Sequence, residues 1–169
     1  GATHLEVGQP DFDPPEHIVE ATCRYAREGH TRYVPNAGVN PLREAAAHYV
    51  QTKTGVDTTA ENILVTQGAV LSVATAFLSL TDPGDEVLLP DPGWPNYSMA
   101  VPLFQGKSVF YDVRPENDFL PDPEQIESLI TPRTKILLLC SPSNPTGQVH
   151  DGALTKALME MAQRHDLWV

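Results

Sequence analysis

Three short runs of this 169-residue sequence combine residue types suited to holding an anion or a polar ring. Thr66-Gln67-Gly68-Ala69 joins an apolar, β-branched run to a long apolar segment through residues with almost no side chain. Free N–H groups and the positive end of a helix dipole point outward at such a junction, which suits a phosphate or a carboxylate. A tight strand-to-helix turn without a ligand is the alternative for that run taken alone. Pro90-Asp91-Pro92-Gly93-Trp94 sets an indole in a rigid turn, either as a plug for the core or as a flat surface on which a ring can stack. Ser141-Pro142-Ser143-Asn144-Pro145-Thr146-Gly147 mounts a side-chain amide close to prolines, for a ligand or for an Asx turn that closes the loop. Neither GxGxxG nor GxxxxGK[ST] occurs, so the dinucleotide and nucleoside-triphosphate fingerprints are both missing. His4, His17, His30, His48, His150 and His165 are scattered without metal-ligand spacing, and no metal site is expected.

The elements that must position these runs follow from hydrophobic period and punctuation. Asp13-Pro14-Pro15-Glu16 reads as a helix start, with Asp13 as N-cap and Pro14 at the first helical position. Ile18, Val19, Cys23 and Ala26 continue it at helical spacing to a stop at Gly29. A second helix follows Asn40-Pro41, with Leu42, Ala45, Ala46, Tyr49 and Val50 on its apolar side, and stops near Gly55. Residues 63–66 are short, apolar and β-branched, as a buried strand would be. Helices are expected over 68–80, 97–104 (kinked by Pro102), 123–130 and 151–165; strands are expected over 86–89, 108–113 and 136–140, with another beginning at Leu167. Strand and helix in alternation predict an α/β fold, a three-layer α/β/α arrangement with a mostly parallel sheet. Ligands of such folds bind where the strands end, and the three chemistry-bearing runs fall there.

Composition narrows the function. Eleven basic against 22 acidic residues give a net charge of −11, which repels nucleic acid and anionic membranes. Cys23 and Cys140 lie far apart in apolar runs, so no disulfide framework is expected and a reducing cytoplasm is favoured. No stretch has the length and apolarity of a membrane span, and no signal-peptide pattern opens the sequence. Sixteen prolines and 11 glycines exclude a helical bundle.

The run Gly8-Gln9-Pro10-Asp11-Phe12-Asp13-Pro14-Pro15, then Tyr33-Val34-Pro35-Asn36-Ala37-Gly38 followed by Leu42-Arg43-Glu44-Ala45, resembles the class I/II aminotransferases, pyridoxal-5′-phosphate enzymes of fold type I. Thr66-Gln67-Gly68-Ala69, Asp82-Pro83-Gly84-Asp85, the loop from Pro92 to Tyr97, Thr131-Pro132-Arg133-Thr134-Lys135 and Asn144-Pro145-Thr146-Gly147 follow in the family's order. Any one of these motifs is weak; the ordered set is specific. The resemblance spans the whole chain, which would be well under half of a complete member.

The resemblance implies a role for each run. Gly68, Ala69 and Val70 would hold the phosphate of pyridoxal 5′-phosphate through backbone amides. Trp94 would stack on the pyridine ring, and Asn144 would hydrogen-bond the ring hydroxyl oxygen; both would also border the substrate. Gly8 would meet the substrate carboxylate through its backbone. Tyr33 would reach the phosphate of a neighbouring subunit, which implies a homodimer. Val70 departs from the polar or long side chain of many members, which leaves the backbone contacts to the phosphate intact. Residues 1–16 would form an N-terminal arm or small-domain segment, and 17–169 part of the large cofactor-binding domain, stopping inside a strand. The implied activity is transfer of an amino group between an amino acid and a 2-oxo acid. Lys53, Lys107, Lys135 and Lys156 do not match the family's lysine loop; the Schiff-base lysine is expected after Val169, so these residues alone are expected to be inactive. A carbon–sulfur β-lyase or an aminocyclopropane-carboxylate synthase-like enzyme shares the cofactor and much of the pattern. A non-catalytic effector-binding module of a regulator is the alternative from another class.

Overall fold

The computed structural model describes residues 8–169, so the first seven residues of the expected 1–16 arm, His4 among them, lie outside the described residues. The chain divides between Val65 and Thr66 into two units.

In the first unit, adjacent prolines decide where the first helix begins. Helix α1 spans Glu16–Arg27, with Pro15 as N-cap and no side-chain cap. The expected N-cap at Asp13 is therefore two residues early. A residue that precedes proline is pushed out of the α region, so Pro14 cannot open a helix while Pro15 follows it. The expected stop is present: Gly29 N–H donates to Ala26 O (3.2 Å) and His30 N–H to Tyr25 O (3.1 Å), the bond pair of a Schellman end. Helix α2 spans Asn40–Thr54, with Pro41 in its first turn and Gly55 after its last. Its buried side is not the expected one, because Leu42 and Tyr49 are exposed and Ala47 is the buried residue. The returning chain sets this: Arg43 Nε donates to Ile63 O at 3.0 Å and turns the side bearing Arg43 and Ala47 inward. Residues 63–66 do not form the expected strand. Val65 N–H donates to Ala37 O at 3.0 Å, but no strand pairs with the run among the described residues. Propensity makes a strand only where a neighbour offers a ladder.

The second unit alternates helix and strand as expected. Helix α3 spans Gly68–Leu80, β1 Glu86–Asp91, α4 Pro95–Ala100 and β2 Lys107–Asp112. They are followed by α5 at Pro123–Ser128, β3 at Thr134–Leu137 and α6 at Gly152–Arg164. The helix predicted over 97–104 starts two residues earlier and gives way to a 3-10 turn at Val101–Phe104. Pro102 has no N–H with which to continue the α pattern. Asp122 and Asp151 cap α5 and α6, accepting from Glu124 N–H (2.9 Å) and Leu154 N–H (2.7 Å). The strands are parallel in the order β2-β1-β3. The β3 ladder, predicted to reach Cys140, ends at Leu137, after which Leu138 N–H makes one more bond to Leu88 O (3.0 Å). Trp168 adds a single parallel rung beside Ile136, where the sequence places the start of a further strand.

Side chains alternate across the sheet. Val87, Leu89 and Ile136 pack with Ala74, Phe77, Ala100, Val101 and Phe104 on one face. Leu88, Leu137 and Tyr111 pack with Ile126, Leu158 and Met161 on the other. Helices cover both faces, giving the predicted three-layer α/β/α architecture. A polar clamp closes the N-terminal edge of the sheet. The buried Glu86 carboxylate accepts from Lys107 Nζ (2.8 Å), Thr131 Oγ1 (2.6 Å) and Thr134 Oγ1 (3.3 Å), joining the starts of β1, β2 and β3. These bonds, Lys107's first, hold the Glu86 carboxyl below the usual carboxylate range.

Candidate cofactor-binding site

Two equal lengths bring the first chemistry-bearing run to the right edge. The 13 residues of α3 rise about 1.5 Å each and the 6 residues of β1 about 3.3 Å each, so both extend roughly 20 Å. Residues 81–85 turn the chain from the end of α3 into β1, with Asp82 N–H donating to Asp85 Oδ2 (2.9 Å) and Asp85 N–H to Asp82 O (3.0 Å). With Ala74 and Phe77 packed in the same cluster as Val87 and Leu89, α3 runs back along β1. Its N-terminus arrives level with the edge where β1 and β3 release their loops. There Gly68 N–H donates to Thr66 O at 3.0 Å, and the Thr66 hydroxyl donates to Gly68 O at 3.2 Å while touching the Ser72 hydroxyl at 2.6 Å. The N–H groups of Ala69 and Val70 have no acceptor among the described residues, and Gln67 supplies no side-chain cap. Gly68 sits at φ +79°, and a Cβ built there would meet nothing within 4 Å. Unpaired N–H groups on an exposed first turn are the geometry of an anion cradle.

The loop after β1 leaves no room for a side chain at Gly93, whose Cβ would stand 2.5 Å from Pro90 O. The chain can therefore fold back tightly and place Trp94 as N-cap of α4, half-buried. The Trp94 indole meets the Tyr97 ring edge-on, with centroids 5.3 Å apart and planes at 83°. A cavity of about 160 Å³ adjoins them, lined by Leu89, Asp91, Trp94, Tyr97 and Phe110 among others. Burial first, then the neighbouring Cys140 thiol, pushes the Tyr97 hydroxyl up to about 12. Beneath these loops the buried Tyr111 hydroxyl donates to Leu138 O at 2.8 Å, and burial drives its pKa well above the phenolic range.

The loop after β3 is closed by its own backbone and serines. Ser143 N–H donates to Gln148 O (2.8 Å), Gly147 N–H to Ser143 O (2.8 Å) and His150 N–H to Ser141 Oγ (2.9 Å). Asn144 takes no part in this, so the Asx-turn alternative is not the one adopted; its side chain is exposed and has no partner among the described residues. The Asp91–Pro92, Ser141–Pro142 and Asn144–Pro145 peptide bonds are cis. Desolvation lowers the pKa of His150 just beyond this loop.

The second unit thus carries the first turn of α3 (residues 68–70), Trp94 and Asn144 at one edge, whereas Gly8 and Tyr33 belong to the first unit. Gly8 is exposed with open space around it, and the Tyr33 side chain is wholly exposed. None of the four lysines is on the three loops. Lys107 is engaged by Glu86 at the opposite edge, Lys135 lies in β3, and Lys53 and Lys156 lie on exposed helix faces. Sequence reasoning passed over Tyr97 as a functional residue. The available signal was a second aromatic one helical turn after Trp94.

A family model described as aminotransferase class I and II matches residues 2–169. The chain belongs to that family, which is pyridoxal-phosphate-dependent. Among curated relatives, the bifunctional aspartate aminotransferase and glutamate/aspartate-prephenate aminotransferase of Petunia hybrida is 44% identical over 161 residues, covering 95% of this chain and 34% of the relative. The aspartate aminotransferase of Thermus thermophilus, solved with maleate, superposes with a TM-score of 0.91 at 42% identity, over 95% of this chain and 42% of that one. The alanine aminotransferase of Pyrococcus furiosus superposes at 0.88 with 37% identity, over 93% and 40%. The chain therefore spans well under half the length of these aminotransferases.

Proposed function

We propose that this chain contributes the cofactor-holding part of an aminotransferase that moves an amino group between an amino acid and a 2-oxo acid. The observation that carries this reading is the pair of unpaired amides at Ala69 and Val70, set at the edge from which Trp94 and Asn144 also project. That donor set fits pyridoxal 5′-phosphate, which has an anionic group at one end, a flat face and a ring oxygen. When bound, the cofactor supplies an electron sink that eases loss of the substrate Cα proton.

The protein's own contribution is binding and orientation. The Ala69 and Val70 amides, with the positive end of α3, hold the phosphate without a side-chain contact from Val70. The Trp94 indole covers one face of the ring and keeps water from it. The Asn144 amide donates to the ring hydroxyl oxygen. Gly8 offers its backbone to the substrate carboxylate. Full exposure of Tyr33 supports its reaching a neighbouring subunit's phosphate in a homodimer. The same reading assigns residues 1–16 to an arm and 17–169 to the large domain, and it leaves these residues alone without amino-transfer activity. Free Cys23 and Cys140 support a cytoplasmic setting.

Aspartate is the proposed amino donor, because the Petunia and Thermus relatives carry that name. The Pyrococcus alanine enzyme, at 37% identity, favours alanine as the second reading. The test is titration of the full-length gene product with pyridoxal 5′-phosphate, followed by oxo-acid-dependent amino transfer from aspartate and from alanine. Saturable binding weakened by Trp94→Ala and Asn144→Ala, with turnover of one donor, is the expected result. Absence of saturable binding, or binding indifferent to both substitutions, overturns the reading.

A further inference from the structure

The loop after β1 presents two aromatic rings, of which the cofactor reading uses one. Tyr97 stands one helical turn after Trp94, within reach of it on the same side of α4. The ring planes cross at 83° with centroids 5.3 Å apart, the edge-to-face contact that aromatic quadrupoles favour. Trp94 is half-buried beside the small cavity. Tyr97 is anchored: it packs against the cluster of Val87, Leu89, Ile136 and Phe104. Cys140, the last residue before the Asn144 loop, lies beside its hydroxyl. The Cys140 thiol in turn donates to Pro142 O at 3.3 Å inside that loop.

We propose that Tyr97 is a positioning residue for this site: held by the core, its ring edge fixes the plane of the Trp94 indole against the cofactor ring. The inference rests on the reading of Trp94 as the stacking surface. An indole free to turn about its side-chain bonds would lose face-to-face overlap in most orientations, so the ordered plane must be supplied before the ligand arrives. Tyr97 supplies it without touching the substrate or the reacting atoms. Its removal should therefore weaken ring binding by the worth of one aromatic pair, roughly 2- to 10-fold.

The test uses the full-length gene product labelled with 5-fluorotryptophan, with the Trp94 resonance assigned by its loss in Trp94→Phe. In the cofactor-free protein, Trp94 should give one narrow ¹⁹F line, kept in Tyr97→Phe and broadened or split in Tyr97→Leu. The dissociation constant for pyridoxal 5′-phosphate should rise roughly 2- to 10-fold in Tyr97→Leu and stay near the unsubstituted value in Tyr97→Phe. An unchanged line and constant in a folded Tyr97→Leu protein overturn the proposal. So do several Trp94 lines in the unsubstituted cofactor-free protein, a result that does not depend on any variant folding. Failure of the unsubstituted protein to bind the cofactor defeats the functional reading instead, while the cofactor-free spectra still decide whether Tyr97 orders Trp94.

Discussion

The two edges of the sheet treat polar groups in opposite ways. At the N-terminal edge the Glu86 carboxylate is buried and takes hydrogen bonds from Lys107, Thr131 and Thr134, while Asp85 meets Arg133 at 3.7 Å. At the C-terminal edge the Ala69 and Val70 amides and the Asn144 side chain have no partner among the described residues. Burying a polar group without a partner costs free energy, so satisfied groups stabilise the fold and unsatisfied ones remain accessible at a site where something can bind. One edge keeps the strands together; the other is available for a ligand.

Substitutions can break this contrast from either side. Glu86→Gln should cost the most, about 1.5–3 kcal/mol of unfolding free energy for the charge-assisted bonds lost, with cofactor affinity unchanged in the folded protein; denaturant unfolding and cofactor titration of the same variant check it. Trp94→Ala should do the reverse and weaken cofactor binding by about 1–3 kcal/mol, the worth of a heteroaromatic ring stacked on an aromatic side chain, read as a shift in the binding isotherm. Asn144→Ala should weaken binding by about 0.5–1.5 kcal/mol for one hydrogen bond and leave the unfolding midpoint in place, because that side chain holds nothing in the fold. The smallest effect is one of pH. Because Glu86 is held below its ordinary value of 4.5, its stabilisation is complete above that pH and is lost as pH falls through the depressed folded value. Below pH 4.5 the unsubstituted protein should therefore lose stability faster than Glu86→Gln, a difference visible in thermal melts at stepped pH.

Local signals carried much of the fold. The helix over residues 68–80 and the α/β alternation could be read from period and punctuation, and the loops that bear Gly68, Trp94 and Asn144 fell at the edge that strand order implies. Reading failed where the deciding partner is distant or the local rule has a second clause. Residues 63–66 have strand chemistry but no ladder. The buried side of α2 depends on a bond from Arg43 to Ile63, twenty residues on. The Glu86 clamp joins residues 21 to 48 positions apart, which no periodicity reports. The start of α1 needed the effect of Pro15 on Pro14 as well as the usual preference for proline in a first turn. The chemistry of the Gly68-Ala69 turn, the Trp94 ring and the Asn144 amide could be read as one option from the residues, whereas their assignment to particular cofactor groups and the roles of Gly8, Tyr33 and Val70 came from family likeness.

The matched spans of α3 and β1 make the helix a ruler as well as a wall. One residue inserted between Ala69 and Ala74 would advance the first turn by about 1.5 Å and swing it about 100° around the axis, while Phe77 held the lower turns in register. The amides would then face the neighbouring helices or solvent. Natural variants of this chain should thus accept length changes in the 114–121 loop and refuse them in this helix, whatever residues they carry on its surface.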